Sequence, residues 1–265
     1  MLKKLKLISL FTVVALLFCT LSVSAQNVNI DEYLLNAGFP QTLVDEMSIP
    51  QKEFIYENSN DKNIIFCGYE KKEFIVNDDG ELVENTTNGD VSVCGGSLTS
   101  ADMTLSVFGT KSYYSSGEVT YSVYPCFKWH KYKKVKNDSF AMNMYSGWEA
   151  IPGERNLRLH LMNSQGESAQ YVDLTPSYAS STGYSYRVPS HTGAMQGLYE
   201  GYAYYDLEKI SSSASPRISL YYAHDASTLF NASYSLSVGV AGISLSGNTD
   251  KIYTMADNFE VSGLD

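Results

Sequence analysis

Short segments in which apolar and polar residues alternate with a period of two are the strongest constraint on the fold of this 265-residue chain. In LRLHLM, residues 157–162, leucines alternate with Arg158 and His160, as in a half-buried strand. Similar segments recur from Asn63 onward, separated by turns rich in Gly, Ser, Asn and Pro, and no long helical pattern follows Asn58. We therefore predict a mainly β fold, an antiparallel β-sandwich with a jelly-roll or immunoglobulin-like outline.

A different pattern precedes the strands. Asp31 is suited to cap a first short helix, and Pro40 and Pro50 are suited to the first turns of a second and a third. Apolar residues about four positions apart give each helix one apolar side. We predict a short helical N-terminal region at residues 26–60, packed on a β-sandwich domain at residues 61–265 or on a partner.

The first residues have the pattern of a secretory signal peptide. Three lysines precede an apolar run at residues 7–21, and small residues ending at Ala25 form a cleavage site. We predict that residues 1–25 are removed and that the protein is secreted and extracellular, without a stable membrane anchor. The alternative of an uncleaved anchor is disfavoured because the run is short for a span of about 20 residues.

Charge and motif content narrow the classes of function. The chain has 19 basic and 29 acidic residues, for a net charge of -10, which disfavours nucleic acid as a partner. Neither Gly-x-Ser-x-Gly nor His-Glu-x-x-His occurs. We predict a non-enzymatic protein without a cofactor. The alternative is a polysaccharide hydrolase whose two carboxylates lie far apart in the sequence.

Tyrosine is unusually frequent, with 21 residues, and it is concentrated in the predicted strands. Aromatic rings stack on the apolar faces of sugars, so we predict extracellular binding or surface interaction, with a glycan or a cell-envelope polymer as the partner. A protein partner is left open. The candidate contact residues are Trp129, Tyr132, Tyr199, Tyr202 and Tyr204. The first two lie in KWHKYKKVK, a local positive patch that could meet an anionic polymer. The alternative is that these rings are half-buried strand residues.

Three cysteines follow the predicted cleavage site, and secretion permits a disulfide. Cys67, Cys94 and Cys126 allow three pairings, and we favour Cys67 with Cys94 because each is followed by glycine. The segment TMADNFEVSG near the C-terminus resembles the last strand of some jelly-roll carbohydrate-binding modules. That resemblance implies a structural calcium ion at Asp257.

Residues 226–249 carry no charged side chain, and serines alternate with apolar residues between Tyr234 and Gly247. We predict a sandwich hairpin with one buried apolar face and one solvated serine face. The alternative is a membrane-active protein whose hairpin inserts into lipid, as in aerolysin-type pore-forming toxins. Each arm is shorter than the about 9–11 residues of a spanning strand, which disfavours that alternative.

Three features together resemble the uncharacterised secreted β-rich proteins of low-GC Gram-positive bacteria. They are the short signal, the block AGFPQTLVDEMSIPQKEFIYEN, and the Tyr- and Ser-rich run YYAHDASTLFNASYSLSVGVAGISLSG. The resemblance implies an exported protein with a β-rich shape. It carries no catalytic signature.

Overall fold

A computed structural model describes twelve segments of the chain. They are residues 29–59, 61–76, 82–85, 102–114, 116–130, 137–151, 156–163, 168–189, 199–225, 234–239, 242–247 and 252–264. The predicted signal peptide, Cys94 and Tyr132 therefore lie outside the described residues. Among the described residues, no helix is both long enough and apolar enough to cross a membrane.

Three short helices open the described chain: α1 (Ile30–Asn36), α2 (Gln41–Glu46) and α3 (Ile49–Ser59). Asn29, rather than the predicted Asp31, caps α1, because its side chain accepts a hydrogen bond from the amide of Glu32 at 3.3 Å. The hydroxyl of Ser48 likewise accepts from the amide of Gln51 at 3.2 Å, at the start of α3. We call these three helices the helical cap.

Strands make up most of the remaining described chain. Their bounds are β1 (Ile64–Val76), β2 (Leu82–Glu84), β3 (Met103–Tyr113), β4 (Val119–Trp129), β5 (Asn137–Met144), β6 (Trp148–Ala150), β7 (Leu157–Met162), β8 (Ser168–Leu174), β9 (Tyr178–Ala179), β10 (Gly183–Pro189), β11 (Tyr199–Ala203), β12 (Tyr205–Lys209), β13 (Arg217–Asp225), β14 (Tyr234–Gly239), β15 (Gly242–Gly247) and β16 (Ile252–Glu260). A 3-10 helix, Ser262–Leu264, ends the described chain.

Two antiparallel sheets form the sandwich. Sheet A has the order β2-β1-β3-β4-β11-β7-β8, and β12 and β6 continue it, with β12 next to β4. Sheet B has the order β16-β13-β5-β10-β9. Between the sheets lies the main core, which includes both tryptophans together with Phe127, Phe140 and Tyr222. The prediction of an antiparallel β-sandwich is confirmed.

The helical cap covers the outer face of sheet A. Leu34, Val44 and Ile55 from the helices are fully buried in one cluster with Phe108 and Tyr202 from the sheet. The predicted helical N-terminal segment is thus confirmed. The division into residues 26–60 and 61–265 stays a prediction, since the cap shares this core with the sheet.

The hairpin β14–β15 forms a separate two-stranded sheet on the outer face of sheet B. Leu236 and Val238 are buried against Ala141 and Ala223. On the opposite face the hydroxyls of Ser237 and its cross-strand partner Ser244 lie 2.8 Å apart. Burial of one face therefore accounts for the alternation in this part of the uncharged segment.

Candidate functional site

One residue from each of six neighbouring strands falls into a single row on the outer face of sheet A. The strand registers pair them successively from β1 through β3, β4, β11 and β7 to β8. We call this set the polar row: Glu73, Thr104, Lys128, Glu200, His160 and Tyr171.

The period-two alternation explains why the row faces outward. Leu105 follows Thr104 in β3, and Phe127 precedes Lys128 in β4. Both Leu105 and Phe127 are buried in the core between the sheets. Leu159 and Leu161 flank His160 in the same way in β7. Since neighbouring side chains in a strand point to opposite faces, the row residues are directed away from that core.

Glu200 is the centre of the row and is only 2% exposed. Its Oε1 atom accepts hydrogen bonds from the hydroxyl of Ser48 in the cap and from Nδ1 of His160 at 3.1 Å. Lys128 Nζ lies 3.7 Å from the other oxygen. Burial acts to raise the pKa of Glu200, but His160, Lys128 and Ser48 together hold it below its usual value. The carboxylate is therefore ionised and fixed at neutral pH.

A cleft of about 220 Å³ lies over the first four residues of the row, between the helical cap and strands β1, β3, β4 and β11. Lys71 lines it and lies 2.9 Å from Glu46 of the cap and 3.8 Å from Glu73 of the row. His130 Nε2 and Thr104 Oγ1 share a hydrogen bond of 2.6 Å at another wall. Burial and the neighbouring Lys128 lower the pKa of His130, so its ring is neutral at pH 7. Partly buried Tyr69 adds an aromatic ring to the lining.

The cleft has donors and acceptors but little net charge. Both of its lysines, Lys71 and Lys128, lie within 4 Å of a carboxylate. Three glutamates, two lysines and a neutral histidine leave a formal charge of about -1, from the ordinary ionisation of these groups. Such a site favours a ligand with many hydroxyl groups over a strongly charged one.

Exposed apolar surface lies beyond Glu200. The ring of Tyr171 is 45% exposed and stacks on His160, with 5.1 Å between ring centroids and 25° between planes. Ile49, next to Ser48 in the sequence, is 70% exposed. The row is therefore accessible at the cleft and at Tyr171, whereas Glu200 and His160 between them are buried.

A second cleft, of about 230 Å³, lies on the other side of α3. Arg158 crosses it, with Nε 2.9 Å from Asp173 Oδ1 and Nη1 2.5 Å from Glu57 Oε2. Hydrogen bonding to Asp173, and to a lesser extent to Glu57, raises the pKa of Arg158 against the opposing effect of burial. This arginine joins the cap to sheet A.

The aromatic residues predicted from the sequence to contact a ligand are dispersed. Trp129 is buried between the sheets, where its indole Nε1 donates to the hydroxyl of Tyr222 at 3.1 Å. Tyr202 borders the cleft but is almost fully buried, 5.0 Å from the ring of Phe54. Tyr204 is partly buried, and its hydroxyl contacts Lys62 in the segment between α3 and β1.

The backbone of Tyr199 lies in β11, directly before Glu200, but its side chain is outside the described part of the structure, as is all of Tyr132. A common exposed surface formed by these aromatic residues is therefore not described. Among the described residues, Tyr202 lines the first cleft and Tyr204 lines the second.

The structure describes the backbone of Asp257, the predicted calcium ligand, and two of the three cysteines that follow the predicted cleavage site, Cys67 and Cys126. Asp257 lies in β16 opposite Leu220, and the described residues contain no group of three or more metal-binding side chains. Calcium at Asp257 stays a prediction. Burial raises the pKa of the Cys67 thiol to about 11. Its predicted partner Cys94 is not described, so that pairing also stays a prediction. Cys126 is buried, with Gln51 Nε2 3.3 Å from its sulfur.

Sequence reasoning missed the polar row. Its clearest local signal was Glu200, a charged residue inside the otherwise apolar and aromatic LYEGYAYY segment. His160 was correctly placed on the polar side of a strand, but its pairing with Glu200 depends on the register of two strands distant in sequence.

No protein-family model matches the sequence, and no curated protein matches it. Among solved structures, the collagen-binding domain of Erysipelothrix rhusiopathiae surface protein RspB aligns with a TM-score of 0.33 and 9% identity. That alignment covers 57% of this chain and 47% of that one, so the chain spans about half the length of the RspB domain.

Two further structures align at a similar level. The collagen-binding subdomain ACE19 of Enterococcus faecalis surface protein ACE has a TM-score of 0.31 and 11% identity, over 52% of this chain and 84% of that one. A structure described as a pore-forming protein has a TM-score of 0.32 and 7% identity, over 72% of this chain and 96% of that one. At these values the alignments assign no ligand to the chain.

Proposed function

We propose that this protein is a secreted, non-enzymatic binding protein that holds a neutral glycan, free or in a cell-envelope polymer, in the cleft between the helical cap and sheet A. The observation that carries the proposal is the composition of the cleft walls. They combine hydrogen-bond donors, acceptors and a partly buried tyrosine ring with almost no net charge.

A sugar matches this combination because its hydroxyl groups both donate and accept hydrogen bonds. Lys71 and Lys128 can donate to sugar oxygens, and Glu46 and Glu73 can accept from sugar hydroxyls. The ring of Tyr69 offers an apolar surface for sugar C–H groups. A cleft lined by apolar groups with a few fixed polar ones is the general form of a small-ligand site.

Export is supported by the sequence of the N-terminus, where a lysine-led apolar run ends in a small-residue cleavage site. The extracellular space also fits a ligand of glycan or cell-envelope origin. The net charge of -10 is compatible with solubility there and unfavourable for nucleic acid.

A binding role fits the carboxylates better than the alternative of a hydrolase. Glu200 is buried and engaged by Ser48, His160 and Lys128. Glu73 lies three strands away in the row, about 14 Å between backbones, whereas the catalytic carboxylates of glycosidases are about 5–9.5 Å apart. Glu200 and Glu73 therefore form no carboxylate pair, and the two cleft carboxylates that do lie close together, Glu46 and Glu73, are both bound to Lys71.

The membrane-active alternative has less support. The apolar side chains of Leu236 and Val238 are buried against sheet B, so the hairpin has a structural reason for its pattern. Insertion would require these contacts to break first.

The proposal is tested by retention of the purified protein on insoluble polysaccharides, bacterial cell walls and anionic liposomes. We expect retention on at least one neutral glycan and its loss in Lys128→Ala and His130→Ala, which alter the cleft. Arg217→Ala is the matched control, because Arg217 is an exposed cation on sheet B. Glycan retention that both cleft variants preserve, or retention on liposomes alone, would contradict the proposal.

A further inference from the structure

We propose that the glycan in the cleft carries 2-acetamido sugars, and that one acetamido group occupies the inner end of the cleft, beneath the helical cap. This inference rests on the function proposed above and names the class of sugar that the same site takes. It assigns Gln51, which the glycan proposal does not use, as the residue that recognises the amide.

The cleft has an outer and an inner end along strand β4. Cys126 and Lys128 share the outer face of the strand, and His130 follows with the same spacing of two. His130 is exposed, the side chain of Lys128 is 37% exposed, and Cys126 is 6% exposed. The next residue inward, Tyr124, is 1% exposed and stacks on Phe108. The cleft therefore opens at His130 and ends at Cys126.

The inner end is mainly apolar. Ser106 of β3 and Tyr202 of β11 both pair with Cys126, so these three residues form the floor at this end. Leu43 and Met47 line the cleft from the cap, and both belong to the same buried cluster as Cys126 and Tyr202. Apolar side chains from the cap and from sheet A thus meet where the cleft ends.

Met47 is placed over the cleft by its neighbours in the chain. Glu46 before it is paired with Lys71 of β1, and Ser48 after it donates to Glu200 of β11. Met47 therefore spans the space above β3 and β4, which lie between those two strands.

The outer end is polar. Glu73, Thr104 and Lys128 of the polar row lie two residues farther out than the inner floor, along β1, β3 and β4. Their side chains and that of His130 can donate to and accept from hydroxyl groups. A ligand that lies along the cleft therefore needs an apolar group at one end and a hydroxylated body at the other.

Gln51 of α3 brings a side-chain amide to the inner end. The residue is half-buried, and its Nε2 atom lies 3.3 Å from the sulfur of Cys126. A thiol is a weak acceptor, so a ligand carbonyl oxygen is a better partner for this N–H group. The Oε1 atom of the same side chain can accept from a ligand N–H. A ligand amide matches Gln51 because each has a donor and an acceptor side by side.

An acetamido group supplies both features of the inner end. Its C=O and N–H groups pair with Gln51, and its methyl group lies among Leu43, Met47 and Tyr202. The pyranose ring then occupies the outer end. The group adds no charge, which suits walls whose lysines already lie near carboxylates. A hydroxyl at the same sugar position would leave the apolar side chains uncovered and Gln51 with only the thiol.

A peptide also carries amides, but it fits the outer end less well. One peptide unit offers one donor and one acceptor, whereas the outer end presents polar side chains from three strands. A pyranose ring carries several hydroxyl groups, each able to donate and accept. The outer end therefore favours a sugar as the body that bears the amide.

The test is a calorimetric titration of the purified protein with two matched pairs of neutral sugars. Di-N-acetylchitobiose differs from cellobiose only in its acetamido groups, and N-acetylgalactosamine differs from galactose in the same way. We expect at least one acetylated sugar to bind about tenfold more tightly than its hydroxyl partner, from one buried methyl group and one additional hydrogen bond.

Gln51→Met keeps the length of the side chain and removes its amide. It should lower the affinity for the acetylated sugar about three- to tenfold and leave that for the hydroxyl partner unchanged. Gln41→Met is the matched control, because Gln41 is an exposed glutamine of α2 whose Nε2 donates to Asp45 at 2.8 Å. We expect this control to bind every sugar as the unmodified protein does.

Insoluble chitin and purified bacterial cell walls are two sources of acetamido sugars, and retention on each distinguishes them. We expect retention on at least one of the two, reduced in Gln51→Met and preserved in Gln41→Met. Equal retention of Gln51→Met and the unmodified protein would contradict the role of Gln51.

The outcomes separate the two proposals. A hydroxyl sugar that binds as tightly as its acetylated partner would overturn the acetamido inference while the cleft proposal stands. The same holds for a preference that Gln51→Met preserves, or for binding of neutral glycans without acetamido groups alone. Tighter binding of N-acetylalanine amide than of either acetylated sugar would identify a peptide ligand and overturn both proposals. Failure of every neutral glycan to bind would also overturn both.

Discussion

Both sheets of the sandwich are covered on their outer faces, but by different kinds of structure. The helical cap covers sheet A, and the two-stranded hairpin β14–β15 covers sheet B. Beneath the cap lie large rings, including Phe108, Tyr124 and Tyr202. Beneath the hairpin lie the small side chains of Ala141 and Ala223, with the partly buried Tyr221 packed against the same cluster. The small side chains let the hairpin approach sheet B closely, whereas the helices leave room for several aromatic rings.

The two covers also differ in their polar attachments. The cap is joined to sheet A through charged groups, among them Glu200 with Ser48, Lys71 with Glu46, and Arg158 with Glu57. The hairpin is attached through a neutral bond, in which the Ser185 hydroxyl donates to the carbonyl of Leu236 at 2.8 Å. The charged side chains between the cap and sheet A line both clefts. Between the hairpin and sheet B, by contrast, apolar side chains pack against each other.

The largest expected effect tests whether the helical cap contributes more to stability through buried apolar side chains than the hairpin does. Ile55 is fully buried in the cap core, and Ile55→Ala should lower the free energy of unfolding by about 2–5 kcal/mol. Leu236→Ala in the hairpin should cost less, near the lower end of that range, because the hairpin can settle onto its small neighbours. Urea unfolding followed by circular dichroism measures both.

Ile49→Ala is the control for the cap, since Ile49 is highly exposed and its loss should change stability by less than about 0.5 kcal/mol. A larger loss at Leu236 than at Ile55 would reverse the ranking of the two covers.

The next effect tests whether small residues are required beneath the hairpin. Ala141 is fully buried between sheet B and the hairpin, and Ala141→Leu should destabilise the protein by about 1–3 kcal/mol through overpacking. The matched control is Ala179→Leu, because Ala179 is an exposed residue of β9 in the same sheet. Thermal unfolding of the two variants compares them directly. Equal stability of the two variants would show that a large side chain fits beneath the hairpin. The size of the covered side chains would then not distinguish the hairpin from the cap.

Parts of this architecture could be predicted because they depend on local patterns. Period-two alternation identified the strands, and the Pro-led segments identified the helical region. The same alternation could have placed Trp129, since it shares the inward side of β4 with Phe127. The lysines around Trp129 led instead to the prediction of a surface patch, but Trp129 is buried between the sheets.

The candidate site depends on long-range pairing and could not be predicted in the same way. Glu200 meets Lys128 and His160 only because β11 lies between β4 and β7, and residues distant in sequence determine that order. Ser48 reaches Glu200 from 152 positions away in the chain. A sequence identifies each of these residues as polar, but their common row follows from strand register alone.

The smallest expected effect concerns the charge that joins the cap to sheet A. The pKa of Glu200 in the folded protein is lowered from the ordinary value of 4.5. Its ionised form therefore stabilises the folded state fully above pH 4.5, and that stabilisation is lost as the pH falls through the lowered pKa. Glu200→Gln keeps the shape but removes the charge, so the variant should be less stable at pH 7.

The difference in stability between the unmodified protein and Glu200→Gln should become smaller as the pH falls. The carboxylate of Glu200 becomes protonated at low pH, whereas the amide of the variant does not change. Urea midpoints measured at a series of pH values from 7 down to about 3 give both curves. Glu208→Gln, at an exposed position of β12, is the control and should leave the curve unchanged. If the Glu200→Gln curve stayed parallel to that of the unmodified protein, the charge of Glu200 would not hold the cap in place. The cap and the hairpin would then differ in how their side chains pack on the sheets and not in the charge of their polar contacts.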